Sequence, residues 1–197
     1  MKKQPADGKR RALLIATGVA GGIATIAAAA PFVASMLPSA RARAAGAPIE
    51  VELAGLESGK MRTEEWRGKP VWILRRSDEM LATLPKIENR LADPESNESE
   101  QPKYCTNPTR SIKPEFLVVI GICTHLGCSP TRKLQPGAES GLGEDWPGGF
   151  FCPCHGSKFD VAGRVFRDVP APTNLVIPQH TYLSETRILV GEDKKSA

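Results

Sequence analysis

Cys123-Thr124-His125-Leu126-Gly127-Cys128 and Cys152-Pro153-Cys154-His155-Gly156-Ser157 hold four of the five cysteines and two of the three histidines of this 197-residue chain. They stand apart in sequence, so folding must bring them together. Soft thiolates suit iron–sulfur clusters, zinc or copper, and imidazole suits iron or zinc. Six potential ligands exceed the four that a tetrahedral zinc takes. Cys123 and His125 form Cys-x-His, and Cys152 and His155 form Cys-x-x-His. Cys128 and Cys154 are left over, one per loop, placed to bridge the loops. A structural zinc using four of the six, or two ordinary disulfides with solvent-facing histidines, are the competing readings. Neither explains why each histidine follows a cysteine at a short, fixed offset in a Gly- and Pro-bounded loop.

C-T-H-L-G-C followed by C-P-C-H-G-S resembles the Rieske iron–sulfur subunits of cytochrome bc1 complexes. Rieske ferredoxins and ring-hydroxylating dioxygenases share the Cys-x-His and Cys-x-x-His pairs but usually lack the extra cysteine in each loop. The resemblance implies one 2Fe–2S cluster, with Cys123 and Cys152 on one iron and His125 and His155 on the other. It implies a Cys128–Cys154 disulfide. Neutral imidazoles in place of two thiolates leave less negative charge for the added electron to meet, which raises the potential.

The same resemblance assigns the surroundings. Leu126, Gly127 and Gly156 would shield the cluster. The Ser157 hydroxyl would hydrogen-bond a bridging sulfide and raise the potential. Phe159 stands where relatives often carry a tyrosine that donates to a ligand sulfur, so the potential here should be somewhat lower. Val169-Pro170-Ala171-Pro172 resembles the family's proline loop, in which Pro170 and Pro172 fix the backbone over the cluster and offer no amide hydrogen.

The implied function is electron transfer within a respiratory quinol–cytochrome c oxidoreductase. A quinol hydroxyl would hydrogen-bond to His155, the catalytic histidine and the one expected to be more exposed, and give up a proton and an electron there. The head would then swing and pass the electron to cytochrome c1, the second quinol electron going to a b-type haem. The chain has no Cys-x-x-Cys-His haem motif, so it would work with cytochrome b and cytochrome c1 subunits, in a dimeric complex. A Rieske subunit of another exported oxidoreductase, such as arsenite oxidase, is the alternative.

The formal charge of +4 is local. Lys2, Lys3, Lys9, Arg10 and Arg11 outweigh Asp7 by that amount, and the rest of the chain balances acid against base. A nucleic-acid partner is not indicated. From Ala12 to Leu37 the chain is uncharged and apolar, and about 20 such residues span a bilayer. Pro31 is expected to kink or end this helix, leaving 12–30 as its regular part. A cleaved signal peptide is the other reading, but its apolar core is usually only about 7–15 residues. Lys9-Arg10-Arg11-Ala12-Leu13-Leu14 partly matches a twin-arginine export signal, lacking Ser/Thr before the pair and Phe after it. The basic excess before the span predicts a cytoplasmic N-terminus. The expected organisation is a cytoplasmic tail over 1–11, a single-pass bacterial inner-membrane anchor over 12–37, a flexible neck over 38–48 and a periplasmic head over 49–197. An oxidising compartment suits the disulfide.

The head is expected to be mainly β: an antiparallel β-sandwich with a small cluster-binding subdomain at about 121–172. Pro70–Leu74, Glu115–Ile120, Gly149–Phe151, Leu175–Ile177, Tyr182–Leu183 and Arg187–Val190 read as strands, and Ser157–Phe166 as a hairpin turning near Ala162-Gly163. Ser77–Leu91 reads as a short helix interrupted by Pro85. Asp93–Gln101 and the insertion Leu134–Gly149 read as solvated loops. Cys105 is expected to be a shielded thiol and His180 a surface or packing histidine.

Overall fold

The computed structural model describes residues 7–193 and divides into two compact units, Met1–Ala44 and Ala45–Ala197. Lys2 and Lys3 of the basic cluster lie outside the described residues.

The first unit is dominated by α1, Gly8–Ser35, capped by the Asp7 carboxylate accepting from the Lys9 amide. Its 28 residues measure about 42 Å at 1.5 Å per residue, enough to cross a hydrocarbon core of about 30 Å. From Ala12 onward it is apolar all round, and none of its residues is buried within the unit. Among the described residues it is the one helix long and apolar enough to span a membrane. Pro31 does not end it, contrary to expectation. Proline's fixed φ is already helical, so its cost here is the missing N–H, and the alanines before it favour propagation. In the expected neck, Ala40–Ala45 forms a short helix, α2, in which the Ser39 hydroxyl accepts from the Ala42 amide.

The second unit is built from three antiparallel sheets of three strands each. Strands β2 (Met61–Trp66), β3 (Lys69–Arg75) and β4 (Phe116–Ile120) form the central one. β1 (Ile49–Glu52), β9 (Arg187–Val190) and β8 (His180–Ser184) form the second, in that order. β5 (Thr131–Lys133), β6 (Gly149–Phe151) and β7 (Lys158–Phe159) form the third and smallest.

The central sheet is covered on both faces, and the period-2 alternation of its strands assigns residues to two cores. Val71 and Ile73 of β3 join Phe116, Val118 and Ile120 of β4 in packing against Val51, Ile188 and Val190 of the β1-β9-β8 sheet. Their neighbours Trp72, Leu74, Leu117 and Val119 pack on the other side with Phe150, Phe159, Cys123 and Cys152. This double burial is why β3 and β4 read as continuous apolar runs rather than alternating ones. The antiparallel β head with a smaller cluster-binding part agrees with the sequence expectation.

Several details differ. Leu175–Ile177 is extended but forms no ladder: the amides of Leu175 and Ile177 reach Gly163 O and Glu100 O, and Val176 O takes the Ile120 amide. The hairpin after the second loop is reduced to β7 and single bridges, Phe159 to Val165 and Leu91 to Phe166. Pro85 does not interrupt a helix but sits in the first turn of a 3-10 helix, Leu84–Arg90, where its missing N–H costs nothing. That helix follows α3, Asp78–Leu81, which Ser77 caps.

Both expected solvated loops keep many exposed residues, but each is anchored from within by buried ones. In 93–101, Asp93 and Ser96 are buried, and the Asp93 carboxylate accepts from the amides of Asn97 and Glu98 and the hydroxyl of Ser99. Several of its polar groups bond one another, which composition alone does not reveal. The insertion 134–149 is pinned by Trp146, buried and stacked on Phe166 with 5.6 Å between ring centroids. Trp146 Nε1 donates to Lys133 O at 2.7 Å.

Candidate metal centre

The two loops are copies of one turn. β4 leads into the first, where the Cys123 amide donates to Cys128 O at 2.7 Å and the Gly127 amide to Cys123 O at 3.1 Å. β6 leads into the second, where the Cys152 amide donates to Ser157 O at 2.8 Å and the Gly156 amide to Cys152 O at 2.9 Å. The offsets are the same, and the glycines adopt φ of 84° and 83°. A Cβ on either would meet nothing within 4 Å; it is the left-handed backbone, not space, that favours glycine here. The duplication aligns Cys123 with Cys152, Cys128 with Ser157, His125 with Cys154 and Leu126 with His155. The histidine is therefore shifted by one residue between loops.

Folding brings the loops together as the spacing suggests. Cys128 and Cys154 are joined in a disulfide. Cys123 and Cys152 carry no disulfide and are both buried. The His125 and His155 rings lie edge to face, 4.8 Å apart. His155 is exposed and His125 half-buried. The sulfurs of Cys128, Cys152 and Cys154 lie within 4.8 Å of one another. That trio is no metal site, because two of its sulfurs are spent on their mutual bond and are not thiolates. The disulfide thus passes close beside the Cys152 sulfur.

The remaining donor set is two thiols and two imidazoles. Burial pushes the Cys123 thiol up. The His125 backbone amide works against this, the adjoining Cys152 thiol adds to it, and the Ser157 hydroxyl again opposes it. The Cys123 thiol thus resists ionisation unless a cation draws it out. N–H and O–H donors aimed at a sulfur reward the thiolate. The arrangement therefore fits a metal group held by anionic sulfur on one side and neutral nitrogen on the other.

The frame around the loops comes from the segment after β7. Ser157 is fully buried, and its Oγ accepts from the Ala171 amide at 3.0 Å. The Thr124 hydroxyl donates to Thr173 O at 2.7 Å. The expected proline loop therefore touches both cluster loops, while Pro170 and Pro172 themselves are exposed. Thr124 was missed from sequence, since a hydroxyl inside a Cys-x-His pair carries no signal of its partner. Leu126 is 72% exposed, a large apolar side chain at the tip. Phe159 is fully buried, opposite Phe150 across β6 and β7.

Two residues remain outside the site. Cys105 is fully buried, and burial pushes its thiol up to about 11. His180 is a packing residue: burial holds its imidazole below the ordinary range, and Nδ1 bonds Pro178 O at 2.8 Å.

Residues 93–182 match the family model described as the Rieske [2Fe-2S] domain. Residues 1–39 match one described as "Ubiquitinol-cytochrome C reductase Fe-S subunit TAT signal". The ubiquinol-cytochrome c reductase iron-sulfur subunit of Allochromatium vinosum is 61% identical over 96% of this chain and 91% of its own length. The chain belongs to the family of ubiquinol–cytochrome c reductase iron–sulfur subunits. The Bradyrhizobium diazoefficiens member is 40% identical over 93% of this chain and 94% of its own length. A solved chain described as "Hyperthermophilic respiratory Complex III" covers 88% of this chain and 97% of its own, at 24% identity and a TM-score of 0.46. Membership makes the metal group a 2Fe–2S cluster and gives the chain an electron-transfer role in a respiratory quinol–cytochrome c reductase. The apolar helix and the export-signal match fit a membrane-anchored, exported head.

Proposed function

We propose that the chain takes one electron and one proton from a quinol at its tip and delivers the electron to cytochrome c1. Cys123 and Cys152 would hold one iron, and His125 and His155 the other. When bound, the 2Fe–2S cluster supplies a one-electron acceptor. The chain's own residues place and guard it. His155 accepts a hydrogen bond from the quinol hydroxyl on the ring nitrogen not committed to iron, then takes that proton. Leu126 and the proline loop exclude water beside it. Residues 38–48 serve as the tether on which the head turns between cytochrome b, where quinol binds, and cytochrome c1. The N-terminus stays in the cytoplasm, α1 crosses the inner membrane and the head lies in the periplasm, in a dimeric complex.

The observation that carries this reading is the pairing of two buried, unbridged cysteines with two adjacent imidazoles, one of them exposed. Low-temperature EPR of membranes after ascorbate treatment tests it. A rhombic signal with a midpoint that falls as pH rises through the histidine range is expected. A signal seen only with dithionite, or a midpoint independent of pH, removes the quinol-oxidising role. Copurification with b- and c-type haem separates it from other exported oxidoreductases.

A further inference from the structure

The proline loop is attached at its far end to a buried polar network. Asn174, immediately after Thr173, is completely buried. Its Oδ1 accepts from the Val165 amide at 2.8 Å. Its Nδ2 donates to Asp93 O and to Ser96 Oγ, both at 2.9 Å. Its backbone amide donates to Ser99 Oγ at 3.0 Å, and that hydroxyl donates to Asp93 Oδ2 at 2.6 Å. The Asp93 carboxylate is held in turn by the amides of Asn97 and Glu98. An N–H on one side and a carbonyl on the other allow one orientation of the Asn174 amide. Buried networks with every member bonded are rigid, and losing one member leaves the others without partners.

The attachments then form a chain. Asn174 fixes the end of the proline loop, Thr173 O holds the hydroxyl of Thr124 in the first loop, and the Ala171 amide holds Ser157 Oγ in the second. Because Ser157 Oγ accepts from Ala171, its own hydrogen remains available to donate. Ser157 neighbours the Cys123 thiol and favours its ionised form. The angle of that hydrogen therefore depends on where Ala171 sits, and Ala171 sits where Asn174 puts the loop.

We infer that Asn174, braced by the Asp93 turn, is a positioning residue for the redox centre. It touches no proposed ligand but sets the hydrogen bond from Ser157, and with it the potential and retention of the cluster. This rests on the assignment of Cys123, His125, Cys152 and His155 as ligands. The segment 93–101 is on this view part of the frame of the centre.

The test is potentiometric titration by EPR of the full-length subunit in its membrane complex. Asn174→Asp sets a carboxylate oxygen against Asp93 O, and Ser99→Ala removes one bracing hydroxyl while leaving the amide in place. Both should lower the midpoint, Asn174→Asp more. Both should speed cluster loss on warming, Ser99→Ala by at least roughly fivefold, the factor that one ordinary hydrogen bond carries, because its hydroxyl makes two. On a Ser157→Ala background, Asn174→Asp should shift the midpoint much less, since the route it acts through is gone. A midpoint unchanged in Ser99→Ala, or shifts in Asn174→Asp and Ser157→Ala that simply add, would overturn the inference. If Asn174→Asp does not assemble, Ser99→Ala alone decides. An unaltered subunit lacking the rhombic signal would instead refute the ligand assignment.

Discussion

Removing the carboxylate of Asp160 should destabilise the head more than most single changes. Asp160 and Arg164 form an ion pair at 2.7 Å with no exposed side-chain surface on either partner. Asp160 Oδ1 also accepts from the amides of Ala162 and Arg164, both at 2.8 Å. In Asp160→Ala the guanidinium keeps its bond from Nη2 to Leu84 O at 2.9 Å, but Nη1 already has no partner. An uncompensated buried charge costs about 3–5 kcal/mol. For a domain of this size 1 kcal/mol corresponds to about 2–4 °C, so the melting temperature should fall by roughly 6–20 °C. The assay is the loss of visible circular dichroism from the cluster as the purified complex is heated at a fixed rate. The double variant Asp160→Leu/Arg164→Met should recover only part of the loss: it removes the unpaired charge, but the amides of Ala162 and Arg164 still lack their acceptor. A fall below about 3 °C for Asp160→Ala would refute the reasoning, showing that the guanidinium finds water or another partner.

Two further outcomes can be checked. Phe159→Tyr should raise the midpoint potential by offering a hydroxyl to a ligand sulfur; an unchanged midpoint in a correctly assembled cluster rejects that. His180 is held below its ordinary value of 6.5 by burial, so between that value and the lower folded one the unfolded chain holds the extra proton. Stability should therefore fall as pH drops through this window and level off below it. His180→Gln should flatten the dependence of melting temperature between about pH 7 and 5, and equal slopes in the two proteins would exclude His180 as the cause.

The site was legible because its chemistry is local. Ligands with a fixed bite must sit at short offsets, and the turns that hold them need glycine at Gly127 and Gly156, so both signals fall in the same few residues. β3 and β4 were legible because burial on two faces leaves no room for polar residues. β1, β2 and β5 were not recognised because Glu50, Glu52, Arg62, Glu64, Glu65 and Arg132 break any apolar pattern. They are edge strands or partly exposed ones, formed by pairing rather than by their own preference. The Asp93 segment misled for a related reason. Its Ser, Asn and Asp residues signal solvent by composition, yet Asp93, Ser96 and Ser99 are partners for Asn174, some eighty positions away. The proline loop was legible as a motif. Its attachments through Thr124 and Asn174 were not, because one hydroxyl or amide has no sequence signature of its partner.

The central sheet has a mechanical corollary. Trp72 and Ile73 are adjacent in the chain yet belong to different cores. The same two strands, β3 and β4, thus tie the cluster side of the head to its base. At its near end Trp66 Nε1 donates to Ala47 O and Arg67 Nε to Gly46 O, so the head holds the chain from Gly46 onward. Under the proposed function, the part of the tether free to turn would be the stretch before that residue.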